Sequence, residues 1–199
     1  MIGLHDFIIK VDKEFQDTFR TESGLELYAD KKFSPDKLAT RIATVQEVPK
    51  FYNGLIKKGM QVFIDHTVFL RETYQRQGTV ENIYTIDAQR GLYKIQDELI
   101  YMYRENESAT WQGNNDNLLI QEVIEEVEEE KIGSIILSPS KSVRKGVHIV
   151  VYDNKSLNEL GVKKGSKVII NEMLRMPITI DGEQYYQLNN KDIFAVYKN

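Results

Sequence analysis

Val162-Lys163-Lys164-Gly165-Ser166-Lys167-Val168-Ile169-Ile170 reads as a tight Lys-Lys-Gly turn feeding a β-branched strand. The chain carries nearly the same stretch earlier, as Ile56-Lys57-Lys58-Gly59-Met60-Gln61-Val62-Phe63-Ile64. Gly59 and Gly165 supply the positive-φ position that a turn into a strand often needs. The residues after each glycine alternate apolar and polar, the mark of a half-buried strand. A self-match of this kind changes how every other residue is read.

The match extends outward. Before the first copy lies Phe7-Ile8-Ile9-Lys10-Val11, and before the second Leu118-Leu119-Ile120-Gln121-Glu122-Val123. After the first comes Asp97-Glu98-Leu99-Ile100-Tyr101-Met102-Tyr103, and after the second Lys191-Asp192-Ile193-Phe194-Ala195-Val196-Tyr197. Four landmarks recur in one order. The expectation is two tandem copies of one small all-β domain, roughly 95 residues each, near the lower end of common domain sizes. The boundaries fall at 1–104 for the first domain, 105–116 for a polar, Asn/Gly-rich linker, and 117–199 for the second. Trp111 is the apolar exception in the linker, expected to pin it to one domain or to sit at an interface.

Composition narrows the function. The 199 residues are 41% hydrophobic, enough for two small cores. With no cysteine there is no disulfide framework, thiolate metal site or cysteine nucleophile. The net charge of −4 argues against a nucleic-acid partner. No apolar run is long enough to span a membrane, and Met1-Ile2-Gly3-Leu4-His5-Asp6 lacks signal-peptide character, so a cytoplasmic protein is the simplest reading. His5, His66 and His148 have no metal-ligand spacing, and His148 is expected at the surface. No P-loop, Gly-x-Ser-x-Gly or dinucleotide motif occurs. The expectation is a protein that is not an enzyme, with no catalytic residue, no metal and no cofactor of its own.

Two stretches stand apart from the strands. Residues 14–36 lose periodicity and read as a long loop around Gly24-Leu25-Glu26-Leu27; loops of that length usually carry function or are disordered. In the second copy 119–127 has helical spacing, with Leu119, Ile120, Val123, Ile124 and Val127 on one stripe. The repeat demands a strand there, and the repeat is followed. The acidic run from Glu125 then opens a loop whose tip is Gly133-Ser134-Ile135-Ile136-Leu137, an apolar triplet among polar residues and so an adhesive spot. Strands are expected at 147–152, 167–171 and 193–197, with a hairpin turn at Asp181-Gly182. Residues 65–94 hold Tyr74, Tyr84 and Tyr93 and turn candidates at Gln77-Gly78 and Arg90-Gly91, and read as two extra strands or an extended hairpin; a tyrosine and arginine cluster could stack on bases, but aromatic residues in a small β-rich core are the commoner case.

Together these landmarks resemble the GroES-type co-chaperonin family. Leu4-His5-Asp6-Phe7-Ile8-Ile9 is similar to the family's opening strand, Gly133-Ser134-Ile135-Ile136-Leu137 to its mobile loop, Val162-Lys163-Lys164-Gly165-Ser166 to its Val-Lys-x-Gly-Asp turn, and Lys191-Asp192-Ile193-Phe194-Ala195 to its closing strand. The resemblance implies two partly open β-barrels. It implies a lid for a GroEL-type chaperonin, which itself binds the nucleotide, and a ring of several domains. The docking residues implied are Ile135, Ile136 and Leu137 in the second loop and Leu25, Glu26 and Leu27 in the first, with Gly24 and Gly133 as loop glycines.

Three departures from the family pattern carry weight. Two domains per chain cannot build a seven-domain ring from whole chains; three chains give six domains and four give eight. Glu26 stands where the family has an apolar residue, and burying it unpaired is costly, so the first loop is expected to bind more weakly unless Glu26 points away from the leucines. Segments 46–55 and 152–161 are shorter than the usual roof hairpin, as in some phage-encoded members. The alternative is a non-catalytic structural or adaptor protein that keeps the fold without the chaperonin.

Overall fold

The computed structural model describes residues 3–15, 18–21, 23–28, 39–69, 82–127, 131–132, 135–136 and 140–197. The chain divides into two compact units, Met1–Trp111 and Gln112–Asn199. Both are antiparallel and all-β.

In the first unit the strands are β1 (Phe7–Lys10), β2 (Thr18–Arg20), β3 (Glu26–Tyr28), β4 (Ile42–Glu47), β5 (Gln61–Ile64), β6 (Thr85–Asp87), β7 (Leu92–Ile95) and β8 (Ile100–Arg104). The sheet runs β6-β7-β1-β4-β5-β8, and β2 and β3 pair apart from it. In the second unit β9 (Gln112–Gly113) leads into β10 (Asn117–Val127), β11 (Lys131–Ile132), β12 (Ile135–Ile136) and β13 (Ser140–Tyr152). A short helix α1 (Lys155–Glu159) precedes β14 (Lys167–Ile170), β15 (Met176–Ile180), β16 (Glu183–Asn189) and β17 (Ile193–Val196). That sheet runs β15-β16-β10-β13-β14-β17. The two orders coincide when β1, β4, β5, β6, β7 and β8 are set against β10, β13, β14, β15, β16 and β17.

The correspondence reaches single hydrogen bonds. Gly59 N–H donates to Val45 O at 2.8 Å and Val45 N–H to Met60 O at 2.9 Å; Gly165 N–H donates to Val150 O at 2.8 Å and Val150 N–H to Ser166 O at 2.9 Å. Gly59 and Gly165 have φ of 87° and 89°, the left-handed conformation that glycine adopts without cost. Both sheets bulge at matching places: between Ile8 and Ile9 on β1 and between Leu119 and Ile120 on β10, and between Phe63 and Ile64 on β5 and between Ile169 and Ile170 on β14. A 3₁₀ turn follows each of these last strands, at His66–Phe69 and Glu172–Leu174. Asp65 Oδ1 accepts from Thr67 N–H at 2.7 Å and Asn171 Oδ1 from Met173 N–H at 3.2 Å. A side-chain oxygen meets an otherwise orphaned donor in each case.

The first core joins Phe7, Ile9, Val62, Ile64, Phe69, Tyr93 and their neighbours; the second joins Leu118, Ile120, Val150, Val168 and Leu188. Each large apolar side chain so buried stabilises its unit by about 1.5–3 kcal/mol. Trp111 is buried in the first unit, edge-on to Phe63 with ring centroids 6.4 Å apart, and lies 4.2 Å beneath the Arg104 guanidinium. In the second unit Asn154 is 2% exposed. Its Nδ2 donates to Asn117 O at 2.9 Å and its Oδ1 accepts from Leu157 N–H at 2.9 Å, capping α1. The Asp181-Gly182 turn between β15 and β16 has φ of 52° and 86°, the two positive values of a type I′ hairpin.

Two strands are longer than the sequence suggests. The segment from Leu118 is a strand, as the repeat demands, and β10 continues through the acidic run to Val127, while β13 begins at Ser140, well before 147. The register sets Glu125 opposite Ser142 and Glu126 opposite Lys141. Residues 65–94 supply two short strands, β6 and β7, and the 3₁₀ turn; Tyr74 and the Gln77-Gly78 turn fall outside the described residues.

Candidate functional site

The second sheet sends one hairpin beyond its neighbours. β10 pairs with β16 only over Asn117–Ile120, and β13 pairs with β14 only over Val147–Ile149. Past those points β10 and β13 pair with each other out to Val127 and Ser140. At about 3.3 Å per residue, 121–127 spans roughly 20 Å. At the far end β11 and β12 pair antiparallel, Lys131 opposite Ile136 and Ile132 opposite Ile135.

The arm has a distinct root. Glu122 pairs with His148 and the next pair is Ile124 with Val143, so β10 advances two residues while β13 advances five. Gly146 sits in this irregularity with φ of 77° and open space where a Cβ would be. Side chains from across the sheet converge here. Arg175 Nη1 donates to Glu122 Oε1 at 2.8 Å and lies 3.3 Å from His148 Nε2. Its Nη2 is 3.6 Å from Glu172 Oε2. Its guanidinium stacks on Tyr186, 4.3 Å from the ring centroid. Tyr186 donates to Glu122 Oε1 at 3.1 Å, and Glu172 Oε1 accepts the Gly146 N–H at 2.9 Å. His148 is 1% exposed, not at the surface as expected. The β13–β14 pairing sets it inside the sheet opposite Val168. Burial holds the pKa of its imidazole below the ordinary value; Glu172 and Glu122 oppose that shift and Arg175 adds to it.

The first unit's hairpin is smaller. β2 and β3 pair Thr18 with Tyr28 and Arg20 with Glu26. Gly24, φ 82°, makes the turn. Leu25, Leu27 and Tyr28 are exposed by 60%, 38% and 87%. Glu26 is exposed and accepts a hydrogen bond from Thr18 Oγ1 at 2.8 Å. Strand alternation turns Glu26 to the face opposite Leu27. Register positions matching Glu122, His148 and Tyr186 hold Val11, Ala43 and Tyr93. Phe69 packs edge-on to Tyr93 with centroids 5.1 Å apart, and Tyr93 donates to Glu14 Oε1 at 2.6 Å.

Of the docking residues read from the sequence, Ile135 and Ile136 form β12 at the arm's end, and Leu25, Glu26 and Leu27 lie in or beside β3. Gly133 and Leu137 lie outside the described residues. The root of the arm was not legible: Glu122, His148, Arg175 and Tyr186 stand far apart in sequence and only the register joins them. The one local signal was a charged residue, Glu122, inside a strand-like run.

Residues 111–197 match the family model of the chaperonin 10 kDa subunit. The match falls on the second unit, which is thus similar to a family whose members are co-chaperonins working as oligomers with a GroEL-type chaperonin. No curated protein matches the chain. No helix among the described residues is long and apolar enough to cross a membrane.

Proposed function

We propose that the chain is a lid subunit carrying two chaperonin-10 modules, 1–104 and 117–199 joined through 105–116, which docks on a GroEL-type chaperonin through the apolar triplet Ile135-Ile136-Leu137. The projecting β10–β13 hairpin is the observation that carries this reading: its length of ladder serves no neighbour in its own sheet. The matched strand orders, bulges and turn hydrogen bonds support the first unit as a second copy of the module. Its shorter hairpin, with Leu27 on one face and Glu26 on the other, is a weaker docking element. Each arm binds reversibly, and several arms on one ring raise the effective concentration of the rest. Whole chains give rings of three or four. No step of this function needs a catalytic residue, metal or cofactor in the chain.

The test is capture of a GroEL-type chaperonin with and without ATP or ADP. Nucleotide-dependent capture is expected, lost in Ile136→Asp and reduced but retained in Leu27→Asp, with circular dichroism unchanged. Capture that ignores nucleotide, or survives Ile136→Asp, contradicts the proposal and favours an adaptor.

A further inference from the structure

We propose that Arg175, held between Glu122, Glu172 and the neutral ring of His148, latches the root of the second hairpin, and that a proton on His148 opens this latch. Arg175 comes from the segment between β14 and β15, yet it binds Glu122 on β10. Glu172 of the same segment takes the backbone N–H of Gly146 on β13. Both strands of the arm are thus tied, at their irregular pairing, to one short connection of the sheet.

The chemistry of the His148 contact fixes its protonation. Arginine only donates, so the 3.3 Å approach of Arg175 Nη1 to His148 Nε2 requires a lone pair on Nε2. The ring proton then sits on Nδ1, which is buried and has no hydrogen-bond partner among the described residues. A second proton has only Nε2 to occupy. It would replace the acceptor with a donor and set two cations 3.3 Å apart inside a site that is 1% exposed at the histidine. The groups facing the ring are Glu122 on β10, Glu172 and Arg175 on the connection, and Tyr186 on β16, edge-on at 6.1 Å; Val168 on β14, opposite in register, carries no charge. Imidazolium competes with Arg175 for the two carboxylates, and Arg175 leaves. The root in the first unit has Val11, Ala43 and Phe69 at its centre and, among the described residues, carries no such device.

The latch works within the chain, so its test needs no chaperonin and its failure leaves the lid reading standing. In the wild-type protein at about pH 7.5, nitrogen-15 spectra of the histidines are expected to show His148 as the Nδ1–H tautomer; an Nε2–H tautomer overturns the proposal. Hydrogen exchange, corrected for intrinsic rates, then reads the root amides at Glu122–Ile124 and Val143–Gly146. Their protection is expected to fall roughly tenfold in Arg175→Met, the scale of a lost charge-assisted hydrogen bond, while the β14–β17 ladder keeps its protection. Wild type is expected to lose protection as the pH falls below the ordinary imidazole range, and His148→Gln, whose amide oxygen still accepts from Arg175, to keep it. Root amides that ignore Arg175→Met, or an acid response that persists in His148→Gln, overturn it.

Discussion

The two units agree in strand order, bulges and Lys-Lys-Gly turns, and part company where the hairpin leaves the sheet. The first closes that point with Val11, Ala43, Phe69 and Tyr93; the second puts Glu122, His148 and Tyr186 at the matching positions and lays Arg175 on the tyrosine. The exchange of an apolar plug for an ionic one is tolerated because the point lies at the end of the sheet, not in the middle of the core. Arg175 and Glu122 side chains retain 26% and 29% of their exposure, so their desolvation is incomplete and the ion pair is not a deep burial cost. The shared parts specify the fold, and the differing part lies where each hairpin leaves its sheet.

Core truncation has the largest expected effect on stability. Phe7 and Leu118 are both 0% exposed, so Phe7→Ala costs about 3–5 kcal/mol and Leu118→Ala about 2–5 kcal/mol. Trp111 is the only tryptophan and packs in the first unit. In urea, its fluorescence transition is expected to move with Phe7→Ala and to stay with Leu118→Ala, which shifts the circular dichroism transition instead. Equal shifts of both probes would mean one cooperative unit and would break the comparison.

The turns come next. Gly59→Ala and Gly165→Ala meet no steric obstacle, so each costs only the left-handed backbone penalty, about 1 kcal/mol. Matched losses in the two unfolding transitions sharpen the correspondence of the units; a cost at one position alone weakens it.

Acid should produce the smallest difference, and in one unit only. The folded pKa of His148 lies below its ordinary 6.5, so the unfolded chain binds more protons between the two values. Stability of the second unit therefore falls as pH drops below about 6.5. The difference in midpoint between the two transitions, followed from neutral to acid pH, measures it. His148→Gln is expected to remove that trend.

Much of this was legible in the chain. The repeated glycine turn, the alternating strands and the Asp181-Gly182 hairpin are local signals, and local physics acted on them. Leu118 to Val127 was readable only through the repeat, because its helical stripe of Leu119, Ile120, Val123 and Ile124 competes with strand alternation. The extent of the arm was hidden by the glutamates of β10, which read as solvated loop until the register set Glu126 opposite Lys141. His148 was misjudged for the same reason: its burial comes from β14, whose approach no neighbouring residue announces. The root cluster is a property of register alone.

Hydrogen exchange across the whole chain, with and without a GroEL-type chaperonin in ADP, addresses the central claim directly. The account predicts new protection concentrated at 131–136 on the second arm, with less at 25–28 on the first and the two sheets unchanged. Protection on a sheet edge such as Ile193–Val196, with the second arm exchanging as in the free protein, would contradict it.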